Sequence, residues 1–312
     1  MAPGNCTRVT GFIFRGITDS LTLQNILFVF FFAIYFCTLV GNAWMIVLIS
    51  VDSHLHSSMY FFLSNLSLLD VVCSSVIAPK AMLSSLVRSK DISFPGCVVQ
   101  FFLFSCASNE LCLLAVTAYD RFVAICNPLL YYVIISKRVC FQLVAGSSLS
   151  ACVNATVHTC SEFSRSFCHS SVLDHFFCHN RPLQEICSDF RINKRVHFIF
   201  EDIETIGTIF TILISFIYII FAILRIRSTT GRHKAFSTCA SHLTVVSLLY
   251  GTLIFTYLRP SSGSSVDWEK MVAVPVTLVI PVMKPLIYSL RNKEVKDTLR
   301  RTIHQKIIPR WM

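Results

Sequence analysis

NILFVFFFAIYFCTLVGNAWMIVLI (residues 25–49) contains no charged side chain over 25 consecutive positions. A helix that crosses the hydrocarbon core of a bilayer needs about 20 predominantly apolar residues. Inside lipid the backbone must satisfy its own hydrogen bonds, and a helix does this within one segment. The stretch therefore predicts a membrane-spanning helix close to the amino terminus.

Six more segments of similar character follow, separated by polar stretches. The fourth is the weakest, because it is rich in Ser, Ala and Cys. Together the segments predict an all-α fold, a seven-transmembrane-helix bundle. The predicted spans cover residues 25–49, 59–82, 98–119, 139–158, 196–224, 240–258 and 271–290.

The composition agrees with a membrane protein. Of the 312 residues, 54% are hydrophobic and 14% are charged, whereas soluble domains carry about 25% charged residues. The net charge of +10 is not gathered on a solvated domain, so we expect no nucleic-acid partner. No catalytic constellation stands out, and we expect neither an enzyme nor a cofactor.

The distribution of Lys and Arg predicts the orientation, since short cytosolic loops carry an excess of basic residues. Basic residues cluster after spans three, five and seven, which predicts a plasma-membrane protein with its amino terminus outside the cell. Asn5 begins a glycosylation sequon in this outer tail. The basic residues are Arg121, Lys137, Arg138, Arg225, Arg227, Arg232, Lys234, Arg291, Lys293, Lys296, Arg300, Arg301, Lys306 and Arg310.

Three regions follow from these spans: an extracellular tail (1–24), the seven-span domain (25–290) and a cytoplasmic tail (291–312). Val295, Leu299, Ile303 and Ile307 recur at four-residue spacing with basic residues between them. This pattern predicts a short amphipathic helix at the inner lipid interface, in contact with membrane lipid. A disordered basic tail is the alternative.

Five cysteines lie near the predicted outer face. Cys97 begins span three, and Cys160, Cys168, Cys178 and Cys187 lie in the loop between spans four and five. Outside the cell such cysteines form disulfides. The spacing does not match a zinc site, so we favour disulfides over a metal.

Four sequence blocks carry a resemblance to a known family. MYFFLSNLSLLD (59–70), AYDRFVAIC (118–126), KAFSTCASHL (234–243) and PLIYSLRN (285–292) occur in this order along the chain. They resemble the signature blocks of vertebrate olfactory receptors, a branch of the rhodopsin-like G-protein-coupled receptors. The resemblance implies that a small volatile odorant binds among the outer halves of the spans. Binding then moves span six outward and opens a cleft for a stimulatory olfactory-type heterotrimeric G protein, which raises cAMP.

The resemblance also implies roles for individual residues. Asp120, Arg121 and Tyr288 correspond to the G-protein switch, in which Asp120 holds Arg121 until activation. The implied disulfides are Cys97–Cys178 and Cys168–Cys187. The ligand-binding residues implied by position are Phe104, Ala107, Ser108, Phe200, Glu201, Glu204, Tyr250 and Thr252.

Several residues depart from the family pattern. Lys284 stands where the family has Asn, and Ser58 stands where it has Pro. A lysine at this depth is costly unless it is paired, so we expect it to seek Asp70 or Glu110. With His242, these three residues form a predicted interior polar cluster.

Similar receptors hold a sodium ion between the residues that correspond to Asp70 and Glu110. We hypothesise that the Lys284 ammonium weakens or replaces that ion. Phe122 and Phe216 replace tyrosines of the family pattern, so a weakly coupling or orphan receptor is one alternative function. A seven-span transporter is another, although the chain lacks the internal repeats typical of transporters.

The outer part of span five carries several acidic residues. His197, Glu201 and Glu204 share one face if this part is an α-helix. If this face points into the bundle, it gives the odorant site a negative patch. Such a patch favours amines or strong hydrogen-bond donors over hydrocarbons as ligands. Acids that lie near the headgroups, or are neutralised by Arg195 or Arg259, are the alternative.

Overall fold

The computed structural model describes residues 10–18, 20–86, 90–108, 110–164, 167, 171–180, 183, 195, 198–257, 273–291 and 295–298. Five of its helical segments are long and apolar enough to cross a membrane, and two shorter apolar segments, Cys239–Phe255 and Pro275–Ser289, follow. The seven predicted spans correspond to these seven segments. The chain therefore folds as a helical membrane bundle.

The helices form the spans in chain order. Span one is α1 and span two is α2; span three comprises α3 and α4, and a short α5 precedes span four, α6. Span five begins with a π-helical turn that leads into α7, and span six is α8. Span seven likewise begins with a π-helical turn, which leads into α9. The bounds are α1 Leu21–Val51, α2 Ser58–Leu86, α3 Phe94–Ser108, α4 Leu111–Cys126, α5 Tyr131–Ile134, α6 Lys137–Phe163, α7 Ile203–Arg225, α8 Thr229–Tyr257, α9 Ile280–Arg291 and the π-helical turns Phe198–Asp202 and Pro275–Val279.

Several helices extend beyond the predicted spans. The clearest case is α8, which begins at Thr229, eleven residues before the predicted start at residue 240. Hydropathy marks only the part of a helix that lipid surrounds, whereas backbone hydrogen bonds continue the helix into water. The polar first turns of α8, with Arg232 and His233 exposed, thus lie outside the apolar span.

Spans one and seven pack closely around a glycine and an asparagine. A Cβ atom on Gly41 would lie 3.2 Å from Cγ of Pro285, so a larger residue would push span seven away. The side-chain amide of Asn42 donates to the carbonyl oxygens of Thr38, at 3.0 Å, and Pro281, at 3.1 Å. Because Pro285 lacks an N–H, it leaves a helical carbonyl without its usual donor, and polar side chains such as Asn42 help to hold this interrupted span.

A three-stranded sheet caps one end of the bundle. Strand β1 (Gly11–Phe14) pairs antiparallel with β2 (Asp91–Ser93) and parallel with β3 (Val172–Leu173). Phe12 and Phe14 are buried with the cysteines of the Cys97–Cys178 disulfide. The amino-terminal segment therefore lies at the same end as the loops that precede spans three and five.

The main apolar core fills the bundle toward the other end. It draws buried side chains from several spans, including Leu66, Leu114, Ile219, Val245 and Tyr288. Val295, at the start of the helical residues 295–298, belongs to the same core. The remaining residues of the predicted amphipathic helix lie outside the described part of the chain.

Candidate functional site

The charged pair lies at the end of span three opposite the sheet and is held by hydrogen bonds. Following the predicted orientation, we call this end of the bundle the inner end and the end that carries the sheet the outer end. Asp120 is fully buried, and both Nη2 and Nε of Arg121 donate to its Oδ2 atom, at 2.6 Å and 3.2 Å. The Arg121 side chain is 13% exposed. Hydrogen bonds between ionised partners are roughly twice as strong as neutral ones, so Asp120 restrains Arg121 firmly in this structure.

The second oxygen of Asp120 is also occupied. Its Oδ1 atom accepts from the hydroxyl of Ser58, at 2.7 Å, and from that of Tyr131, at 2.9 Å. The two hydroxyls contact each other as well. Burial and the neighbouring carboxylate raise the pKa of Tyr131 to about 12. A phenol is protonated at physiological pH even at its ordinary pKa of about 10, so Tyr131 keeps its donor.

Tyr288, the third predicted switch residue, lies in another contact. Its hydroxyl is 3.4 Å from Nδ1 of His242. The His242 ring stacks on Phe216, with 5.9 Å between ring centroids. The structure thus brings Tyr288 and His242 together in the core next to span five.

The predicted interior cluster is therefore divided in two. Lys284 Nζ donates to Asp70 Oδ1 at 2.7 Å and also to Glu110 Oε2. All three side chains are buried, and they join spans two, three and seven. Lys284 thus contacts both Asp70 and Glu110, the two acids that were expected as alternative partners. Among the described contacts, the His242 ring hydrogen-bonds to Tyr288 rather than to Lys284, Asp70 or Glu110.

These residues do not fit a sodium ion between the two acids. The ammonium of Lys284 already bridges the two carboxylates, and a second cation there would meet a like charge. Asp70 Oδ2 has no hydrogen-bond donor among the described residues.

At the outer end, two predicted ligand-binding residues pack under the loop that follows span four. The Phe104 ring lies 5.0 Å from that of Phe177 and 6.0 Å from that of His179, measured between centroids. Ala107 is buried in the same apolar cluster as Phe177. The side chain of Ser108 lies outside the described part of the structure. Loop aromatics thus cover the outer half of span three.

Glu204 binds two neighbouring helices rather than standing free. Its Oε1 atom accepts from the Cys112 thiol and its Oε2 atom from the Asn154 amide, each at 2.8 Å. The carboxylate therefore ties span five to spans three and four. Asn154, which sequence analysis had not connected with the site, is a buried polar residue within a span and is for that reason a functional candidate.

The acidic face predicted for the start of span five stays a prediction, because only one of its three side chains, that of Glu204, is described. Phe198–Asp202 is a π-helical turn, and its wider repeat moves residues off the positions that an α-helix would give them. Phe200 is 37% exposed, and its ring centroid is 6.4 Å from that of His158. His197 and the Glu201 side chain lie outside the described part.

Tyr250 and Thr252 lie on span six. The Tyr250 hydroxyl donates to Thr208 Oγ1 at 2.8 Å, which links spans five and six. The Thr252 hydroxyl donates to the Leu248 carbonyl of its own helix, at 2.6 Å. A hollow of about 20 Å³ is lined by other residues, including Thr18, Ser84 and Phe176, and has room for one water molecule.

The outer loop is joined to span three by a disulfide between Cys97 and Cys178, with 5.7 Å between the Cα atoms. Gln100 reinforces this junction. Its side-chain oxygen accepts from the Cys178 amide, and its amide donates to the Val76 carbonyl, each at 3.1 Å. The predicted sites at Cys168, Cys187 and Asn5 lie outside the described residues.

A comparison with solved structures shows the fold. The crystal structure of squid rhodopsin superimposes with a TM-score of 0.72, although only 16% of the residues are identical, and the match covers 93% of this chain and 82% of that one. The chain therefore has the helical-bundle fold of that structure.

Sequence comparison defines the family. The family model described as olfactory receptor matches residues 31–306. Olfactory receptor 5G9 of Mus musculus is 53% identical over 305 residues, which cover 97% of both chains. Olfactory receptor-like protein COR4 of Gallus gallus is 51% identical and covers 97% of this chain and 98% of its own. This chain belongs to the olfactory receptor family; it is a multi-pass membrane receptor and not an enzyme.

Proposed function

We propose that this protein is an odorant receptor of the plasma membrane with its amino terminus outside the cell. It binds a small volatile molecule in the outer half of the bundle and activates a stimulatory, olfactory-type G protein, which raises cAMP. The observation that carries the proposal is the Arg121–Asp120 pair at the inner end of span three. An arginine that lies 13% exposed behind one buried carboxylate can leave it for a partner on the cytosolic side.

The link between the two ends runs through spans five and six. Tyr250 and Thr208 join these spans in the outer half, and His242 and Phe216 join them further in. A ligand that competes for the Tyr250 hydroxyl loosens the outer contact and favours a second packing of span six. A ligand shifts the equilibrium between two packings only as far as its affinities for them differ. The contact between the ligand and Tyr250 must therefore be stronger in the active packing than in the resting one.

The ligand class follows from what lines the outer half. Phe104, Ala107 and the ring of Phe177 offer an apolar wall, and Tyr250 offers a polar contact. Glu204 already accepts from Cys112 and Asn154, which supports a role in holding spans rather than in binding an amine. We therefore propose a ligand that is mainly apolar with one hydrogen-bonding group.

The experiment is a cAMP assay in cells that express the olfactory-type stimulatory G protein, challenged with a chemically diverse panel of volatile molecules. An epitope tag before residue 10, stained on intact cells, normalises for surface receptor and tests the orientation. We expect at least one odorant to raise cAMP. Arg121→Ala should lower the response at least about tenfold, because it removes the charge that the cytosolic partner contacts.

Arg225→Ala is the matched control. Arg225 ends α7 on the same side of the bundle and is exposed, so its loss should change the response less than about twofold. If no odorant raises cAMP but one binds at the surface, a weakly coupling receptor replaces the proposal. A tag that is stained only after the cells are permeabilised would overturn the orientation.

A further inference from the structure

Ser58 begins span two and reaches the switch of span three. Its hydroxyl donates to Asp120 Oδ1 at 2.7 Å, across 62 positions of sequence. The donor lies at the start of α2, so the bond joins two spans at the inner end. The hydrogen bond between spans two and three at this end therefore depends on the Ser58 hydroxyl.

The geometry divides the two oxygens of Asp120 between two tasks. Oδ2 holds Arg121, and Oδ1 is held by Ser58 and Tyr131. With both oxygens engaged, the carboxylate cannot rotate about its χ2 bond without breaking at least one contact. The Ser58 hydroxyl therefore restrains the orientation in which Asp120 grips Arg121, although it does not touch Arg121 itself in any contact that the structure records.

Tyr131 supplies the second donor to the same oxygen. Ser58 and Tyr131 contact each other as well as Asp120, so span two, span three and the short helix α5 meet at one carboxylate. Because each hydroxyl has one hydrogen, both can donate to Asp120 only if neither donates to the other. Ser58 thus supplies one of the two donors that fix the orientation of Oδ1.

The residue at position 58 distinguishes this chain from the pattern it resembles, in which a proline precedes the Met-Tyr-Phe block. Proline has neither a hydroxyl nor a backbone N–H, so it offers Asp120 no donor. We propose that Ser58 is a positioning residue that strengthens the Asp120–Arg121 contact and lowers ligand-free activity. This inference rests on the proposed function, because it assumes that release of Arg121 activates the receptor.

The test measures opening of the inner end without a ligand, in the full-length receptor in native-like membranes. Cys239 is buried in span six, and an outward movement of that span exposes it. Its rate of modification by N-ethylmaleimide, followed by mass spectrometry of the peptide that contains it, reports opening with no G protein present. Nucleotide exchange on a purified stimulatory G protein is the second readout.

Ser58→Ala should raise both ligand-free rates by about fivefold to tenfold, where tenfold corresponds to about 1.4 kcal/mol. Ser58→Pro should do the same, and Ser58→Thr, which keeps the hydroxyl, should restore the wild-type rates. Ser57→Ala removes the hydroxyl of an exposed neighbour and should leave both rates unchanged. In an Asp120→Asn background, Ser58→Ala should add less than about twofold, because coupled changes are not additive.

Two results would overturn the inference. One is a wild-type rate of Cys239 modification in Ser58→Ala while Asp120→Asn raises that rate. The other is an undiminished effect of Ser58→Ala in the Asp120→Asn background, which would mean that Ser58 acts through general stability. Failure of the proposed function has a different signature: Cys239 responds to Ser58 as expected, but neither odorants nor any variant promotes nucleotide exchange.

Discussion

Two charged clusters lie at different depths of the bundle and differ in what surrounds them. In the interior cluster, Lys284 meets Asp70 and Glu110, and these three buried side chains all come from spans. At the inner end, Asp120 holds Arg121, and its other partners are two hydroxyls. One of those hydroxyls belongs to Tyr131, which lies outside the spans in α5.

The difference determines which cluster can open. Separating Lys284 from its acids leaves ions without water or a partner inside the bundle, and a buried ion that loses its partner costs several kcal/mol, about 3–5. Arg121 is already 13% exposed and can exchange Asp120 for water or a protein partner at the membrane boundary. The interior cluster is therefore suited to fixing the packing, and the Asp120–Arg121 pair to switching.

The largest expected effect comes from breaking the interior cluster. Lys284→Met leaves Asp70 and Glu110 facing each other without a cation, so the free energy of unfolding should fall by about 3–5 kcal/mol. Surface staining and the melting temperature of the purified receptor measure this loss. Adding Asp70→Asn and Glu110→Gln removes the unpaired charges and should restore much of the stability.

Two controls separate the cluster from general effects of charge. Lys80→Met removes a lysine that contacts the Asp91 carbonyl at the exposed outer end, and it should cost less than about 1 kcal/mol. Asp120→Asn changes one charge of the other pair; surface expression should stay near wild type while ligand-free signalling rises. If Asp120→Asn lowers the melting temperature as much as Lys284→Met does, the two clusters do not differ as we infer.

A smaller effect tests whether Lys284 takes the place of a cation. Sodium should not change the melting temperature of the wild-type receptor, because the ammonium already bridges the acids. Lys284→Asn removes the ammonium, and 100 mM sodium should then stabilise the receptor by about 1.4 kcal/mol if the dissociation constant is about 10 mM. Choline chloride at the same ionic strength is the control. Equal sodium dependence in the two proteins would contradict the idea.

The spans and the interior ion pairs could be predicted because they follow from local rules. A run of apolar residues such as 25–49 needs no knowledge of its neighbours to indicate a helix in lipid. A lysine inside a span needs an acidic partner, and only a few acids lie within spans. Asp70 and Glu110 could therefore be named from the sequence. The order of the spans then brings these residues to one depth.

Contacts that depend on irregular backbone or on loops could not be predicted. Tyr131 lies in a four-residue helix between spans, and nothing in its hydropathy indicates that it reaches Asp120. Nothing in the hydropathy of span five indicates the π-helical turn Phe198–Asp202, which changes the residue spacing there. The pairing of Gly11–Phe14 with two distant loops likewise depends on tertiary structure.

The smallest expected effect on stability concerns the uncharged hydrogen bond between Tyr250 and Thr208. Comparing it with the Lys284 cluster shows how much of the stability of that cluster is due to charge. Tyr250→Phe removes the hydroxyl that donates to Thr208 at 2.8 Å. An uncharged hydrogen bond contributes about 1 kcal/mol net, so the melting temperature should fall only slightly, less than in Lys284→Met.

The activating odorant should nevertheless lose potency with Tyr250→Phe, by about fivefold for a bond of that size. Thr208→Val is the matched change on span five and removes the acceptor of the same bond. The half-maximal odorant concentration in the cAMP assay measures both variants. If Tyr250→Phe lowers potency and Thr208→Val does not, the Tyr250 hydroxyl acts on the ligand and not through span five. If neither variant changes potency, ligand binding does not compete with this bond, and the outer contact between spans five and six is structural like the Lys284 cluster.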